Sequence, residues 1–218
     1  MNSTRLPKLT TTSFALLGLL QRRPWSAYEL TGYMRNSILR AVWPRAESHL
    51  YSEPKLLQRR GFVSSHEEHT GARKRTVYSI TDEGRAALAE WLQQERDSEF
   101  RFEYELLLRL AFAESLDASW VQKYLQQVSD EALRDARFTL AGVEEVLQSP
   151  AELASSDNSA FTGAIIHMIV DQLEMRVSWA GKMSARLAAD DPETLATAAL
   201  DLYTDAQHRL RALLSGAP

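Results

Sequence analysis

The sequence predicts a mainly α protein with one small β-hairpin, in which a basic N-terminal module precedes a larger, acidic and wholly helical remainder. Three observations predict it. Apolar residues recur at helical spacing along most of the chain, the period shortens to that of strands only over residues 62–80, and charge divides unevenly. Residues 1–84 hold thirteen Lys or Arg against seven Asp or Glu, a net +6, whereas residues 85–218 hold twelve against twenty-two, a net −10. A cationic module joined to an anionic body suits a polyanion-binding unit on a separate helical partner.

Bulk composition narrows the class. At 218 residues, with 44% apolar and 25% charged residues, the chain has room for one or two packed domains and is not a disordered one. Cysteine is absent, so disulfides, thiolate metal sites and cysteine nucleophiles are excluded together. The longest uninterrupted apolar run, FALLGLL at residues 14–20, is far short of the ~20 residues of a membrane span. Residues 1–8 carry basic groups but no apolar segment or cleavage site behind them. A soluble, cytoplasmic protein with no membrane partner is expected.

Each element has a local reason. Thr10 to Thr12 stand where a side chain accepts free N–H groups, and Phe14, Leu16, Leu17, Leu19 and Leu20 follow as a short buried helix. Arg22, Arg23 and Pro24 stop it. Ser26 caps a second helix with Glu29 three residues on, and Tyr28, Leu30, Tyr33 and Met34 ride on it to about Asn36. A loop through Val42, Trp43 and Pro44 leads to a third helix with Leu50, Tyr51, Leu56 and Leu57, which ends at Gly61, where a left-handed residue is wanted. Two strands follow across a turn at residues 70–73, the second being the β-branched and aromatic run Thr76, Val77, Tyr78, Ser79, Ile80. Thr81-Asp82-Glu83-Gly84 then opens a helix with Leu88, Trp91 and Leu92.

Three helices, a two-stranded hairpin and a further helix make the element order of a winged helix-turn-helix, whose third helix enters the major groove. The residues themselves resemble the PadR family of bacterial transcriptional regulators. The matching stretches are FALLGLLQRRPWSAYEL (residues 14–30), SHLYSEPKLLQRRGFV (residues 48–63) and KRTVYSITDEGRAAL (residues 74–88). FEYELLLRLAFAE (residues 102–114) resembles the start of that family's longer, virulence-regulator-like C-terminal domain. The resemblance implies a DNA-binding winged helix-turn-helix domain over residues 1–96 and an all-helical dimerisation and effector-sensing domain over 97–218. It implies a sequence-specific homodimeric repressor or activator on a palindromic operator, of which a repressor is expected; no enzymatic activity and no cofactor are expected. Carried over position by position, Tyr28, Ser48, His49, Tyr51 and Lys55 face DNA, and residues 71–75 form the wing tip. The alternative is a winged-helix protein–protein adaptor without DNA, which the +6 module and basic wing oppose.

The chemistry of these residues agrees with that reading. Arg73, Lys74 and Arg75 are adjacent cations on a hairpin, suited to backbone phosphates or the minor groove. Ser48, His49, Tyr51 and Lys55 offer hydroxyl, imidazole and ammonium groups for phosphates or base edges. Where the family has a helix former, this chain has Pro54, so a kink or a second helical piece beginning at Ser52 or Glu53 is expected. His66 and His69 fall on opposite strand faces, so no metal site is expected, and Glu67-Glu68 reads as unpartnered surface charge. No GxSxG, HExxH, P-loop or GxGxxG pattern occurs.

The second half reads as helices over residues 119–147, 159–189 and 192–214, the first break marked by residues 149–150 and 155–158 and the next by 191–192. Their apolar stripes are too long to bury within one chain, so a helix-exchanging dimer is expected. Trp120, Met168, Met175 and Trp179 are candidates to line a pocket for a small apolar or aromatic effector.

Overall fold

The computed structural model describes residues 9–44, 46–70, 73–95, 103–113, 116–155, 159–189 and 191–216. The chain forms two compact units, Met1–Glu99 and Phe100–Pro218.

In the first unit, helix α1 (Thr11–Arg22) starts on a reciprocal cap. Thr10 Oγ1 accepts the Ser13 N–H at 3.1 Å, and Ser13 Oγ accepts the Thr10 N–H at 3.0 Å. Strand β1 (Trp25–Ser26) follows, then α2 (Ala27–Asn36), the single turn α3 (Leu39–Val42) and α4 (Glu47–Arg59). Strands β2 (Val63–Thr70) and β3 (Arg73–Ile80) pair antiparallel from Val63↔Ile80 to Thr70↔Arg73, and α5 (Asp82–Gln93) closes the unit. Phe14, Leu16, Leu17 and Leu20 of α1, Leu30 and Met34 of α2, Leu50 and Leu57 of α4, Tyr78 and Ile80 of β3 and Leu88 of α5 form one core. Trp91 stacks on Phe14 at 4.9 Å between ring centroids.

Two expectations change here. The sheet has three strands, not two, in the order β1-β3-β2, because the buried pair Trp25-Ser26 lies against Tyr78 and Val77 before Ser26 caps α2. No period exists in two residues, so pattern reading passes over such a strand. The third long helix is fourth in order, since the loop between α2 and α4 tightens into α3.

Pro54 neither splits α4 nor displaces it from the core: the helix runs through it, and the ring is buried beside Leu50 and Leu57. The ring occupies a position that must be apolar in any case, which offsets the lost bond to the residue-50 carbonyl. Gly61 ends α4 with φ 80°, and the Phe62 N–H returns to the Leu57 carbonyl at 3.1 Å, as a left-handed cap requires.

In the second unit, α6 (Glu105–Ala111), α7 (Ala118–Leu147), α8 (Pro150–Ser155), α9 (Ser159–Arg186) and α10 (Pro192–Ser215) follow in order. The long helices begin where expected, and the turn α8 occupies part of the expected break; residues 156–158 and 190 lie outside the described residues. Helix α7 is about 45 Å long at 1.5 Å per residue. Leu125, Val128 and Ala132 of α7 are buried, as are Ile169, Leu173 and Ala180 of α9, with Leu106 of α6 beside Val128 and Ala180. Gln122 Nε2 donates to the Ser184 and Leu187 carbonyls at 3.1 and 3.0 Å, fixing the register of α7 on α9. Helix α10 has no buried residue among those described, and Leu200, Tyr203, Leu210 and Leu213 are exposed on it.

Candidate nucleic-acid interface

The site starts from the two faces of α4. Leu50, Pro54 and Leu57, at i, i+4 and i+7, are buried and fix the inner face. Ser48, Tyr51, Ser52, Lys55 and Arg59 are all exposed, and their spacing of three and four puts them in one outward row. His49 is exposed beside that row in the first turn of α4. Tyr51 keeps 40% of its surface in solvent, so it is not a core ring. Neither Lys55 nor Arg59 pairs with a carboxylate among the described residues. The row offers hydroxyl groups and two cations on a helix whose other side is core, an arrangement that fits phosphate oxygens and base edges.

Tyr28 stands in the first turn of α2 with 74% of its surface exposed. Next to it, Glu29 is a hub. Its Oε2 accepts the Ser26 backbone N–H at 2.8 Å and the Ser26 hydroxyl at 2.7 Å, while Oε1 lies 3.5 Å from Arg23 and 3.7 Å from Arg75. The Ser26 N–H, the Ser26 hydroxyl and the two guanidinium groups hold the Glu29 carboxyl below the usual carboxylate range against partial burial. Arg23 also lies 3.5 Å over the Trp25 ring.

The wing differs from its expectation. Lys74 Nζ is 2.6 Å from Glu67, and Arg75 reaches Glu68 Oε2 through Nε at 3.2 Å and Nη2 at 2.8 Å. His66 Nε2 lies 2.9 Å from the other Glu68 oxygen. Glu67 and Glu68 therefore have partners, contrary to the expectation of unpartnered charge. Antiparallel register sets Glu68 opposite Arg75 and puts Glu67 two residues from Lys74's partner His69 on the same face, diagonal to Lys74, which a reading along one strand does not reveal. His66 and then Arg75 keep the Glu68 carboxyl low, and Glu68 raises Arg75 in turn. Gly71 and Ala72 of the expected tip lie outside the described residues, as does the side chain of Arg73. Among the described residues no group of three His, Cys, Asp or Glu could hold a metal.

Chain reading brought Ser48, Tyr51 and Lys55 onto the row but did not assign Ser52 and Arg59 to it. The signal for both was present, one residue after Tyr51 and four after Lys55, once Pro54 is known to leave the helix continuous.

The four effector candidates do not converge on one cavity. Trp120, Met168 and Met175 are exposed, Trp120 beneath the Lys123 ammonium at 4.3 Å, and Trp179 packs with Leu106, Val128 and Ala180. A cavity of about 610 Å³ runs between α7 and α9 and is lined by other residues, chiefly Leu133, Leu140, Val143, Ile166, Val170 and Val177. Tyr104 donates to Glu131 at 2.8 Å, and burial with that carboxylate pushes its hydroxyl up to about 12. No helix among the described residues is long and apolar enough to cross a membrane.

Residues 16–90 match the family model described as the transcriptional regulator PadR-like family. The negative transcriptional regulator PadR of Bacillus subtilis (strain 168) is 27% identical over 182 residues, which are 81% of this chain and 97% of that protein. The crystal structure of Bacillus subtilis PadR in complex with operator DNA superposes with a TM-score of 0.72 at 22% identity, covering 83% of this chain and 99% of that one. Its complex with p-coumaric acid gives 0.54 at 22% identity over 84% of this chain and all of that one (100%). The smu.1604c protein of Streptococcus mutans UA159 gives 0.69 at 20% identity, over 81% and 99% of the two chains. These structural likenesses establish a winged-helix fold with a helical C-terminal region.

Proposed function

We propose that this chain is a transcriptional regulator of the PadR-like family, whose model its residues 16–90 match, and that it is a sequence-specific DNA-binding repressor acting as a homodimer on a palindromic operator. Helix α4 enters the major groove with Ser48, Tyr51, Ser52, Lys55 and Arg59 toward the DNA. Tyr28 and His49 meet the flanking backbone, and the β2–β3 wing with Arg73, Lys74 and Arg75 lies along phosphates or the minor groove. The carrying observation is the outward row on α4, which puts three hydroxyls and two cations, neither paired with a carboxylate among the described residues, on one exposed face of the basic unit.

The Bacillus subtilis relative is a negative regulator and has been crystallised with operator DNA, which supports the repressor reading. A second copy supplies the cover for α10, which has no fully buried residue among those described. Two-fold symmetry then sets the two α4 helices about 34 Å apart, one helical turn of DNA. The relative's complex with p-coumaric acid supports a small aromatic effector. The chain needs no catalysis for this role.

A gel-shift titration on the DNA upstream of its own coding sequence, at two salt concentrations, tests the reading. Binding should weaken with salt by about 0.9 in log–log slope for each phosphate neutralised, and sedimentation should give a dimer at micromolar concentration. A chain that shifts no duplex at either salt refutes DNA binding and favours the adaptor reading. A monomer refutes the palindrome.

A further inference from the structure

On the inner side of α4 one polar residue interrupts the apolar stripe. Glu53 is half-buried, and its carboxylate accepts a short hydrogen bond from the Ser13 hydroxyl and a longer one, 3.4 Å, from Thr10 Oγ1. Ser13 itself is completely buried. Thr10 and Ser13 are the two members of the cap that opens α1. The first turn of α1 contains no acidic residue of its own, although a helix N-terminus carries the positive end of the macrodipole and favours an anion there. Glu53 supplies that anion from another helix, forty residues away from Ser13 in sequence.

The position of Glu53 on α4 gives the contact a consequence. Tyr51 and Lys55 lie two residues before and two after it, about 200° around the helix in either direction at 3.6 residues per turn. Glu53 is therefore tied down almost diametrically opposite the outward row. Leu50, Pro54 and Leu57 also press α4 to the core, but apolar contacts are non-directional and permit small rotations. A carboxylate held by two hydroxyls of a fixed cap has a defined direction. A rotation of about 20° would shift a side-chain tip by about 2 Å at the ~5–6 Å radius of a helix, enough to break a hydrogen bond to a base edge.

We propose that Glu53 is a positioning residue for DNA readout: by docking on the Thr10–Ser13 cap of α1, it sets the rotation of α4 and so the aim of Tyr51, Lys55 and Arg59. This rests on the reading of α4 as the groove-entering helix. It separates base readout, which needs the aim, from phosphate attraction, which tolerates its loss.

The experiment uses the full chain, a preferred duplex obtained by selection from random DNA with the wild-type protein, and a scrambled duplex of equal length. Glu53→Ala should reduce the preference for the selected duplex by about tenfold, the discrimination carried by roughly one base contact, and leave affinity for the scrambled duplex unchanged or higher. Glu53→Gln removes the same charge but keeps an oxygen for Ser13 and should retain most of the preference. Ser13→Ala, a buried residue that cannot touch DNA, should reproduce the loss, and it carries the test should Glu53→Ala melt below the assay temperature. Backbone hydrogen exchange in residues 48–59 should quicken in both alanine variants ahead of β2 and β3. Full preference retained in Glu53→Ala and Ser13→Ala overturns the proposal, as does a parallel loss on both duplexes, or a Gln variant no better than Ala. A wild-type protein that prefers no duplex overturns the DNA reading itself and this role with it, a result distinct from a wild type that discriminates with variants that still do.

Discussion

Gly84→Ala is the perturbation whose cost the structure makes most explicit. Gly84 is the third residue of α5, and its N–H is accepted by Thr81 Oγ1 at 3.1 Å. A methyl group built there would stand 2.2 Å from the Phe62 carbonyl oxygen and 2.8 Å from Ile80 Cγ1. Ordinary carbon–oxygen contacts are no closer than about 3.3 Å, so roughly 1 Å of movement is required. The carbonyl cannot simply turn away, because it accepts the Thr81 N–H at 3.1 Å while Thr81 Oγ1 donates to the Gly61 carbonyl at 2.7 Å. Helix propensity favours alanine by about 1 kcal/mol, whereas overpacking costs about 1–3 kcal/mol and a lost backbone hydrogen bond about 1 more. The expected net is a destabilisation of about 1–3 kcal/mol, or a fall of about 5–20 °C in the melting of a unit this size. Gly18→Ala is the control in the same unit, since nothing lies within 4 Å of its methyl position in the middle of α1, and it should stabilise by up to about 1 kcal/mol. Scanning calorimetry of the full chain compares the three proteins. A Gly84→Ala protein that melts at or above wild type, together with Gly18→Ala, would refute the close approach of α5 to the turn between α4 and β2.

Two further outcomes are expected. Tyr51→Phe should leave thermal stability within about 0.5 kcal/mol, because the ring is on the surface, and weaken operator binding by about 0.5–1.5 kcal/mol through loss of one hydroxyl; a Phe variant that binds like wild type while Tyr51→Ala mainly unfolds the protein would make Tyr51 a core residue. The Glu29 carboxyl is held below its ordinary 4.5 by the Ser26 N–H first and then by the Ser26 hydroxyl, Arg75 and Arg23, so its contribution is fully present above that ordinary value and is lost as pH falls through the lowered one. The stability gap between wild type and Glu29→Gln, followed by urea unfolding from pH 7 to 3, should close below about pH 4.5; a gap that widens on acidification would contradict the hub at the foot of the wing.

Much of the first unit is legible along the chain because its instructions are local. Thr10 and Ser26 cap helices through atoms within three residues, Gly61 ends α4 with a positive φ, and the β-branched and aromatic run over residues 76–80 marks β3. The outward row of α4 is equally a matter of spacing, and only Pro54 obscured it. In the glycine of the Thr-x-x-Gly run, sequence showed a helix start but not the reason for Gly84, which is a carbonyl twenty-two residues earlier.

What the chain determined by itself is therefore what short-range backbone geometry and hydrophobic period control: helix ends, the hairpin, the split between a basic mixed module and an acidic helical one, and the faces of α4. Tertiary structure alone decided the partnerships made across distance. Strand β1 exists because β3 offers it an edge, Lys74 and Arg75 meet Glu67, Glu68 and Glu29 through strand register and the approach of α2, and Glu53 finds the cap of α1. Hydrogen bonds and ion pairs are short-ranged and directional, so they form only between groups that the packed core has already brought together, and no periodicity in one segment announces which group in another will be there.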